Sequence, residues 1–310
     1  MARFLCLLIL LLLLAGCNAL PPDLLRAPAA TQSPAASPTP SQTPAPTASP
    51  SPTVRPTATL VPACTETTGR LERQEIPSEA LGEPLVAQIY TPPCYGWTSP
   101  EQAAPPAYPV IYLLHGQGST DEQWPALGVP EAADRLISAG QVQPVIVVMP
   151  QEKSYLQDPS TAAFGQAVVA DMVPWVDANY PTCTERACRA IGGLSRGAAW
   201  AVRLGFEDWQ TFGAIGAHSL PPFYGDPNRL PAWLADIPAG QYPRVYLDIG
   251  SDDPYLTPAA EFEALLTHLR VAHTWRLNPG GHLDAYWAGQ VANYLLWYAP
   301  VSESEIDPVP

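Results

Sequence analysis

Ser195 stands at the centre of I-G-G-L-S-R-G-A, residues 191 to 198, with Gly193 and Gly197 two positions to either side. A serine flanked in this way suits a sharp strand-to-helix turn, where the backbone is strained and only glycine at the neighbouring positions avoids a clash. On such a turn the hydroxyl projects above the sheet. The helix behind it offers free N–H groups and the positive end of its dipole to a developing oxyanion. The chemistry expected of Ser195 is therefore nucleophilic attack on a carbonyl. A serine hydroxyl is a weak nucleophile until a base takes its proton, so the chain must also supply an imidazole and an acid to orient it.

The acid is sought in V-Y-L-D-I-G-S-D-D-P-Y-L, residues 245 to 256, where Asp252 and Asp253 occupy a turn directly after an apolar strand. Turns at the carboxyl ends of parallel strands collect ligand-facing residues. Asp253 is chosen, with Asp252 expected to cap the turn and Asp248 held within the strand. The base should follow the acid, because elbow serines on such sheets run Ser, Asp or Glu, then His along the chain. His282, in L-N-P-G-G-H-L-D-A-Y-W (277 to 287), meets that requirement. His273 begins the last strand, too far from its mouth, and His268 lies on a helix surface. The oxyanion hole is assigned to the backbone N–H groups of Gln117, in the Gly-bounded turn of Y-L-L-H-G-Q-G-S-T-D-E-Q-W (112 to 124), and of Arg196. His115, Trp124, His218 and Trp287 are candidate walls of a substrate pocket. His115 also reads as a loop-shaping hydrogen bonder, and His218, followed by Ser219, equally as a satisfied structural histidine.

Placing these residues together requires a sheet whose loops converge. Apolar or alternating runs of strand length recur at Arg70 to Ile76, Leu85 to Thr91, Val110 to His115, Val145 to Met149, Arg189 to Leu194, Ala214 to His218, Arg244 to Ile249 and Thr274 to Leu277, with helical patterns between them. The runs V-I-Y-L-L and V-I-V-V-M are nearly all apolar, as expected of parallel strands covered on both faces. Amphipathic helices are predicted at Gly165 to Asn179, Pro258 to Val271 and Ala285 to Trp297. The expectation is an α/β domain with a mostly parallel central sheet and helices on both faces.

That domain is expected to span residues 63–300 of the 310. Ahead of it, Arg3 precedes an apolar run from Phe4 to Leu14, which reads as a signal peptide over residues 1–16. Leu14-Ala15-Gly16-Cys17 looks like the lipobox of bacterial lipoproteins, implying cleavage before Cys17 and its acylation. Residues 17–62 form a Pro-, Ser-, Thr- and Ala-rich linker expected to stay disordered. If extended as polyproline II, at ~3.1 Å per residue, it would reach up to roughly 100 Å from a membrane. An acidic tail is expected over 301–310. The protein would then sit outside the cytoplasm on a lipid anchor. The formal net charge of −14, with Lys153 as the single lysine, argues against nucleic acid. Once Cys6 and Cys17 are set aside, Cys64, Cys94, Cys183 and Cys188 remain. Local pairing, Cys183 with Cys188 and Cys64 with Cys94, would contribute about 2 and about 3.5 kcal/mol on loop entropy. No metal site is expected, since neither C-x-x-C nor a histidine pair accompanies them.

With these residues in place the chain resembles the "Putative esterase" family of the α/β-hydrolase superfamily, which takes in feruloyl and acetyl xylan esterases, S-formylglutathione hydrolase (esterase D), enterochelin esterases and mycolyltransferases. The resemblance rests on Y-P-V-I-Y-L-L-H-G-Q-G-S-T-D-E-Q-W, D-M-V-P-W-V-D-A-N-Y, A-I-G-G-L-S-R-G-A, L-D-I-G-S-D-D-P and P-G-G-H-L-D-A-Y-W, in that order between about Leu85 and Tyr298. It implies the α/β-hydrolase fold, Ser195 as nucleophile, Asp253 as acid, His282 as base with Trp287 packing near it, and Gln117 as the first oxyanion donor. Arg196 and Ala198 stand where Met and Gly are frequent, and Arg196 is expected to reach an anionic substrate group or a nearby carboxylate. The function implied is a surface-anchored serine esterase acting on small-molecule or polysaccharide-linked esters without a cofactor. The alternatives are acyl transfer of mycolyltransferase type and a non-catalytic wall-binding module. Trp97, Phe223, Tyr224 and Trp233 are further aromatic candidates for a sugar or aryl pocket. Oligomeric state is not legible.

Overall fold

The computed structural model describes residues 64–98 and 106–299. The signal, Cys17, the linker and the acidic tail lie outside them. In chain order the strands are β1 (Arg70–Ile76), β2 (Leu85–Thr91), β3 (Val110–Leu114), β4 (Ile146–Pro150), β5 (Arg189–Leu194), β6 (Ala214–His218), β7 (Arg244–Gly250) and β8 (Thr274–Asn278). The helices are α1 (Gln123–Ala126), α2 (Val129–Ser138), α3 (Phe164–Gln166), α4 (Val173–Asn179), α5 (Arg196–Glu207), α6 (Asp226–Ala235), α7 (Leu256–His268) and α8 (Asp284–Tyr298). All eight strands form one sheet in the order β1-β2-β4-β3-β5-β6-β7-β8. β1 and β2, and β2 and β4, are antiparallel; β4-β3-β5-β6-β7-β8 is parallel throughout. This is the expected α/β-hydrolase architecture.

The sheet sorts the sequence by alternation. Along β3, Val110, Tyr112 and Leu114 enter one apolar layer with α5 and α7, while Ile111 and Leu113 enter the other with α2 and α8. β3 to β6 are buried along their whole length, which is why they read as continuous apolar runs. β1, an edge strand, carries Arg70, Glu72, Arg73 and Glu75, charges that discourage pairing with another chain.

Several boundaries depart from expectation: β7 and β8 each run one residue further, to Gly250 and Asn278, α7 spans Leu256–His268 rather than Pro258 to Val271, and α8 gains one residue at each end. β3 stops at Leu114, one residue early, where the chain enters the turn closed by the Ser119 N–H on the Gly116 carbonyl. β4 begins and ends one residue later. The helix expected over 165–179 is broken by a π turn, Ala167–Met172, between α3 and α4. Pro174 follows at the start of α4, and a proline has no N–H for the carbonyl four residues back and crowds it, so the ladder widens there. Both expected disulfides form, Cys64–Cys94 and Cys183–Cys188, with Cα atoms 5.9 and 5.8 Å apart.

The last helix reaches deepest into the sheet. Tyr298 lays its hydroxyl against Gly192 of β5 and Gly216 of β6, where a Cβ would fall 1.7 and 1.9 Å from that oxygen. Only glycine fits at either position. The hydroxyl lies 2.9 Å from His218 Nε2.

Candidate active site

β5 delivers Ser195 at the carboxyl edge of the sheet with φ 53° and ψ −121°, a conformation side-chain-bearing residues rarely adopt. The flanking glycines make the turn possible. A Cβ on Gly193 would meet the Gly197 carbonyl at 2.4 Å, and one on Gly197 would meet the Leu114 carbonyl oxygen at 2.2 Å. The elbow thus packs backbone on backbone against the end of β3. The Ser195 N–H is held by the His218 carbonyl at 2.9 Å.

The turn after β3 closes on itself, with the Ser119 N–H donating to the Gly116 carbonyl at 3.1 Å. Gly118 takes φ +77° as the third residue of that turn, the position that calls for glycine in a type II turn. The Gln117 N–H is not used in closing it. Gly116 abuts the nucleophile: a Cβ there would lie 3.6 Å from Ser195 Cβ. Arg196 is the first residue of α5, so its N–H has no acceptor within the helix. The turn that bears Gln117 thus abuts Ser195, and Arg196 follows the serine directly at the start of α5.

Asp253 and His282 arrive on loops that are zipped together. The Ser251 N–H donates to the Asn278 carbonyl and the Asp252 N–H to the Gly280 carbonyl, both at 2.8 Å. A Cβ on Gly250 would meet the Gly280 oxygen at 2.2 Å, so the two turns touch. The Asp253 side chain is buried, with Oδ1 accepting the Tyr255 N–H at 2.9 Å and Oδ2 lying 2.9 Å from His282 Nδ1. His282 Nε2 lies 2.9 Å from Ser195 Oγ. The carboxylate can only accept, so Nδ1 carries the proton and Nε2 presents its lone pair to the hydroxyl. The imidazole is held between Tyr255 and Trp287, each ring 4.9 Å away and steeply inclined. Trp287 is fixed by its indole N–H, which donates to Ser219 Oγ at 3.1 Å. Ser195, His282 and Asp253 are therefore brought together, with the Gln117 turn and Arg196 beside the serine.

The pocket candidates fare otherwise. His115 is buried, its Nδ1–H donating to the Gly116 carbonyl at 2.7 Å and its Nε2 accepting the Glu152 N–H at 2.8 Å. Neither nitrogen is left for a substrate, so His115 shapes the loop. Trp124 is buried with its N–H on the Leu114 carbonyl, and belongs to the core. His218 is fully buried, with Nδ1 2.6 Å from Asp248 Oδ1 and its ring stacked on Tyr294. It is a structural histidine, and no pocket wall. Trp287 backs the base. Trp233 packs in the core, and Phe223 lies between the guanidinium groups of Arg196 and Arg203 at 5.2 and 4.9 Å. Tyr224 is fully exposed and Trp97 partly so. Arg196 takes the second of its two expected partners, a carboxylate, that of Glu152. Among the described residues, the one cluster with ligand-like spacing is Cys64, Glu66 and Cys94, whose sulfurs are joined in a disulfide and carry no thiolate for a cation.

His115 makes stability depend on pH. Burial lowers its pKa below the ordinary 6.5, against the opposing hydrogen bond to Gly116. The folded protein thus holds it neutral, whereas the unfolded chain takes up a proton near that value. Its contribution is complete above about pH 6.5 and is lost as the pH falls through the window below. The urea midpoint of the wild type should drop faster than that of His115→Gln between about pH 6.5 and pH 5, measured side by side. Parallel curves would remove His115 as the cause.

A family model described as "Putative esterase" matches residues 78–298. An endo-1,4-beta-xylanase/feruloyl esterase of Xylanibacter ruminicola is 29% identical over 173 residues, 52% of this chain and 24% of its own length. An esterase of Mycobacterium tuberculosis is 26% identical over 213 residues, 64% of this chain and 42% of its own. The chain thus spans less than half the length of these two relatives. Among solved structures, a ferulic acid esterase superposes with a TM-score of 0.65 at 22% identity, covering 75% of this chain and 98% of its own. That likeness is one of fold.

Proposed function

The chain belongs to the "Putative esterase" family, and from that premise we propose that it is a serine esterase that cleaves carboxylic esters through an acyl-enzyme on Ser195. The observation that carries this reading is the unbroken relay Ser195 Oγ, His282 Nε2 and Nδ1, Asp253 Oδ2, with 2.9 Å at each hydrogen bond. His282 takes the Ser195 proton as Oγ attacks the carbonyl carbon. Asp253 stabilises the imidazolium so formed. The N–H groups of Gln117 and Arg196 hold the oxyanion of the tetrahedral intermediate, each worth on the order of a hundredfold or more in turnover. Collapse of the intermediate expels the alcohol, protonated by His282. Water, activated by the same imidazole, then releases the acid. No step calls for a cofactor.

The names of the xylanase/feruloyl esterase and the ferulic acid esterase support feruloyl-type esters of carbohydrate hydroxyls as the substrates. The apolar run after Arg3 and the Leu-Ala-Gly-Cys sequence support tethering outside the cytoplasm through lipid on Cys17. The test is to treat the purified protein with a fluorophosphonate probe and to measure hydrolysis of methyl ferulate and of p-nitrophenyl acetate, butyrate and octanoate. Labelling together with turnover is expected. A folded protein that neither labels nor turns over any of the four would overturn the reading.

A further inference from the structure

Glu152 lies just beyond β4 and takes no part in the relay, yet it touches both segments that carry the oxyanion donors. Its backbone N–H donates to His115 Nε2 at 2.8 Å. Through Nδ1, His115 then donates to the Gly116 carbonyl at 2.7 Å. That carbonyl and the Gln117 N–H belong to one peptide group, planar and trans, so fixing the oxygen inward fixes the N–H in the opposite direction. At its other end the Glu152 carboxylate takes Arg196 side-on, Nε to Oε2 at 2.8 Å and Nη2 to Oε1 at 2.7 Å. Arg196 carries the second donor on its own backbone. One residue thus spans from the β3 turn to the first turn of α5.

The ladder between β3 and β5 does not set this spacing by itself. The last paired residues are Leu114 and Gly193, before either donor is reached. Beyond that point both chains are turns, and turns need side-chain bracing to hold an N–H to within a fraction of an ångström. Glu152 and Arg196 have side-chain exposures of 3% and 9%, so the pair is desolvated. A buried ion pair is no sure source of net stability, since apolar residues of similar volume often do as well. Its rigid bidentate geometry, in contrast, is well suited to fixing one backbone segment against another.

We infer that Glu152 is a positioning residue for the oxyanion hole, holding the Gln117 and Arg196 N–H groups in register through His115 on one side and the Arg196 guanidinium on the other. This rests on the esterase reading above. A spread hole binds the ground-state ester as before and fails at the tetrahedral oxyanion, so the loss falls on kcat and leaves KM unchanged.

The test uses Glu152→Gln and the double variant Glu152→Met with Arg196→Met, the latter because Glu152→Gln alone leaves a buried guanidinium without its counter-charge. Active sites are counted by fluorophosphonate titration, so kcat is expressed per competent enzyme. The expected result in both is a fall in kcat of roughly 10- to 100-fold at unaltered KM, with a matching loss of affinity for a trifluoromethyl ketone that mimics the tetrahedral oxyanion. The double variant should melt close to the wild type, separating positioning from folding. Wild-type kcat and ketone affinity in the double variant, or a loss confined to melting temperature, would overturn the inference. An inactive wild type would instead bring down the esterase reading, and the two failures are thereby told apart.

Discussion

Ser195→Ala is expected to lower ester turnover on the order of 10⁶-fold and to abolish fluorophosphonate labelling, while folding stability stays within about 1 kcal/mol of the wild type. The size of the loss follows from the relay. Without Oγ, His282 has no proton to take and the two oxyanion donors face an unattacked carbonyl, leaving only their residual polarisation of the ester. Stability is spared because the elbow's strain lies in the backbone at φ 53°, which alanine shares, and the missing hydrogen bond reaches a partly exposed imidazole. Turnover of p-nitrophenyl acetate and urea denaturation of the same preparation check both halves. A variant that retained more than about a thousandth of wild-type turnover would point to another nucleophile.

The second large effect separates two His–Asp pairs of similar geometry, only one of them fully buried. His282 sits 2.9 Å from Asp253, and His218 sits 2.6 Å from Asp248. Asp253→Asn is expected to cut kcat by about 10⁴-fold, because the amide cannot hold the Nδ1–H tautomer that leaves Nε2 free for the serine. Its cost in stability should be small beside that. Asp248 accepts from His218, from the Tyr286 hydroxyl at 2.6 Å and from the Tyr294 hydroxyl at 2.9 Å, all buried. Burial pushes the Tyr286 and Tyr294 phenols far above their ordinary range, so both remain neutral donors that need this acceptor. Asp248→Ala would orphan three donors at about 1–3 kcal/mol each, a total of several kcal/mol. Activity per folded molecule should change far less than in Asp253→Asn. Denaturant midpoints and titrated kcat measured on both variants decide the matter. If Asp248→Ala proved the more damaging to kcat and the milder to stability, the roles assigned to the two pairs would be reversed.

The candidate site was largely legible because Ser195, Asp253 and His282 each lie in a turn directly after a strand with glycine close by in sequence, and local patterns report such turns well. β3 to β6 were legible because they are buried along their whole length and so read as apolar runs. His218 stayed open between wall and scaffold, since what distinguishes it is complete burial beside Asp248, thirty residues away in sequence. Glu152 gave no local sign at all: its partner Arg196 is forty-four residues distant. Ser219 was seen only as a neighbour of His218, and its grip on Trp287 depends on a fold-wide approach of β6 to α8. The π turn before α4 was missed because apolar periodicity alone does not register a widened ladder.

The seat of Tyr298 beneath Gly192 and Gly216 also bears on the order of events during synthesis. The strand that presents the nucleophile is complete once residue 194 has left the ribosome, yet the notch under its glycines is filled by one of the last residues of the domain. Until that hydroxyl arrives, β5 and β6 enclose a void and His218 lacks its partner at Nε2. A nascent chain would therefore carry its serine elbow already packed on the end of β3 while Asp253, His282 and the Tyr298 plug are still to come, with hydrolytic competence reached only as the last helix docks.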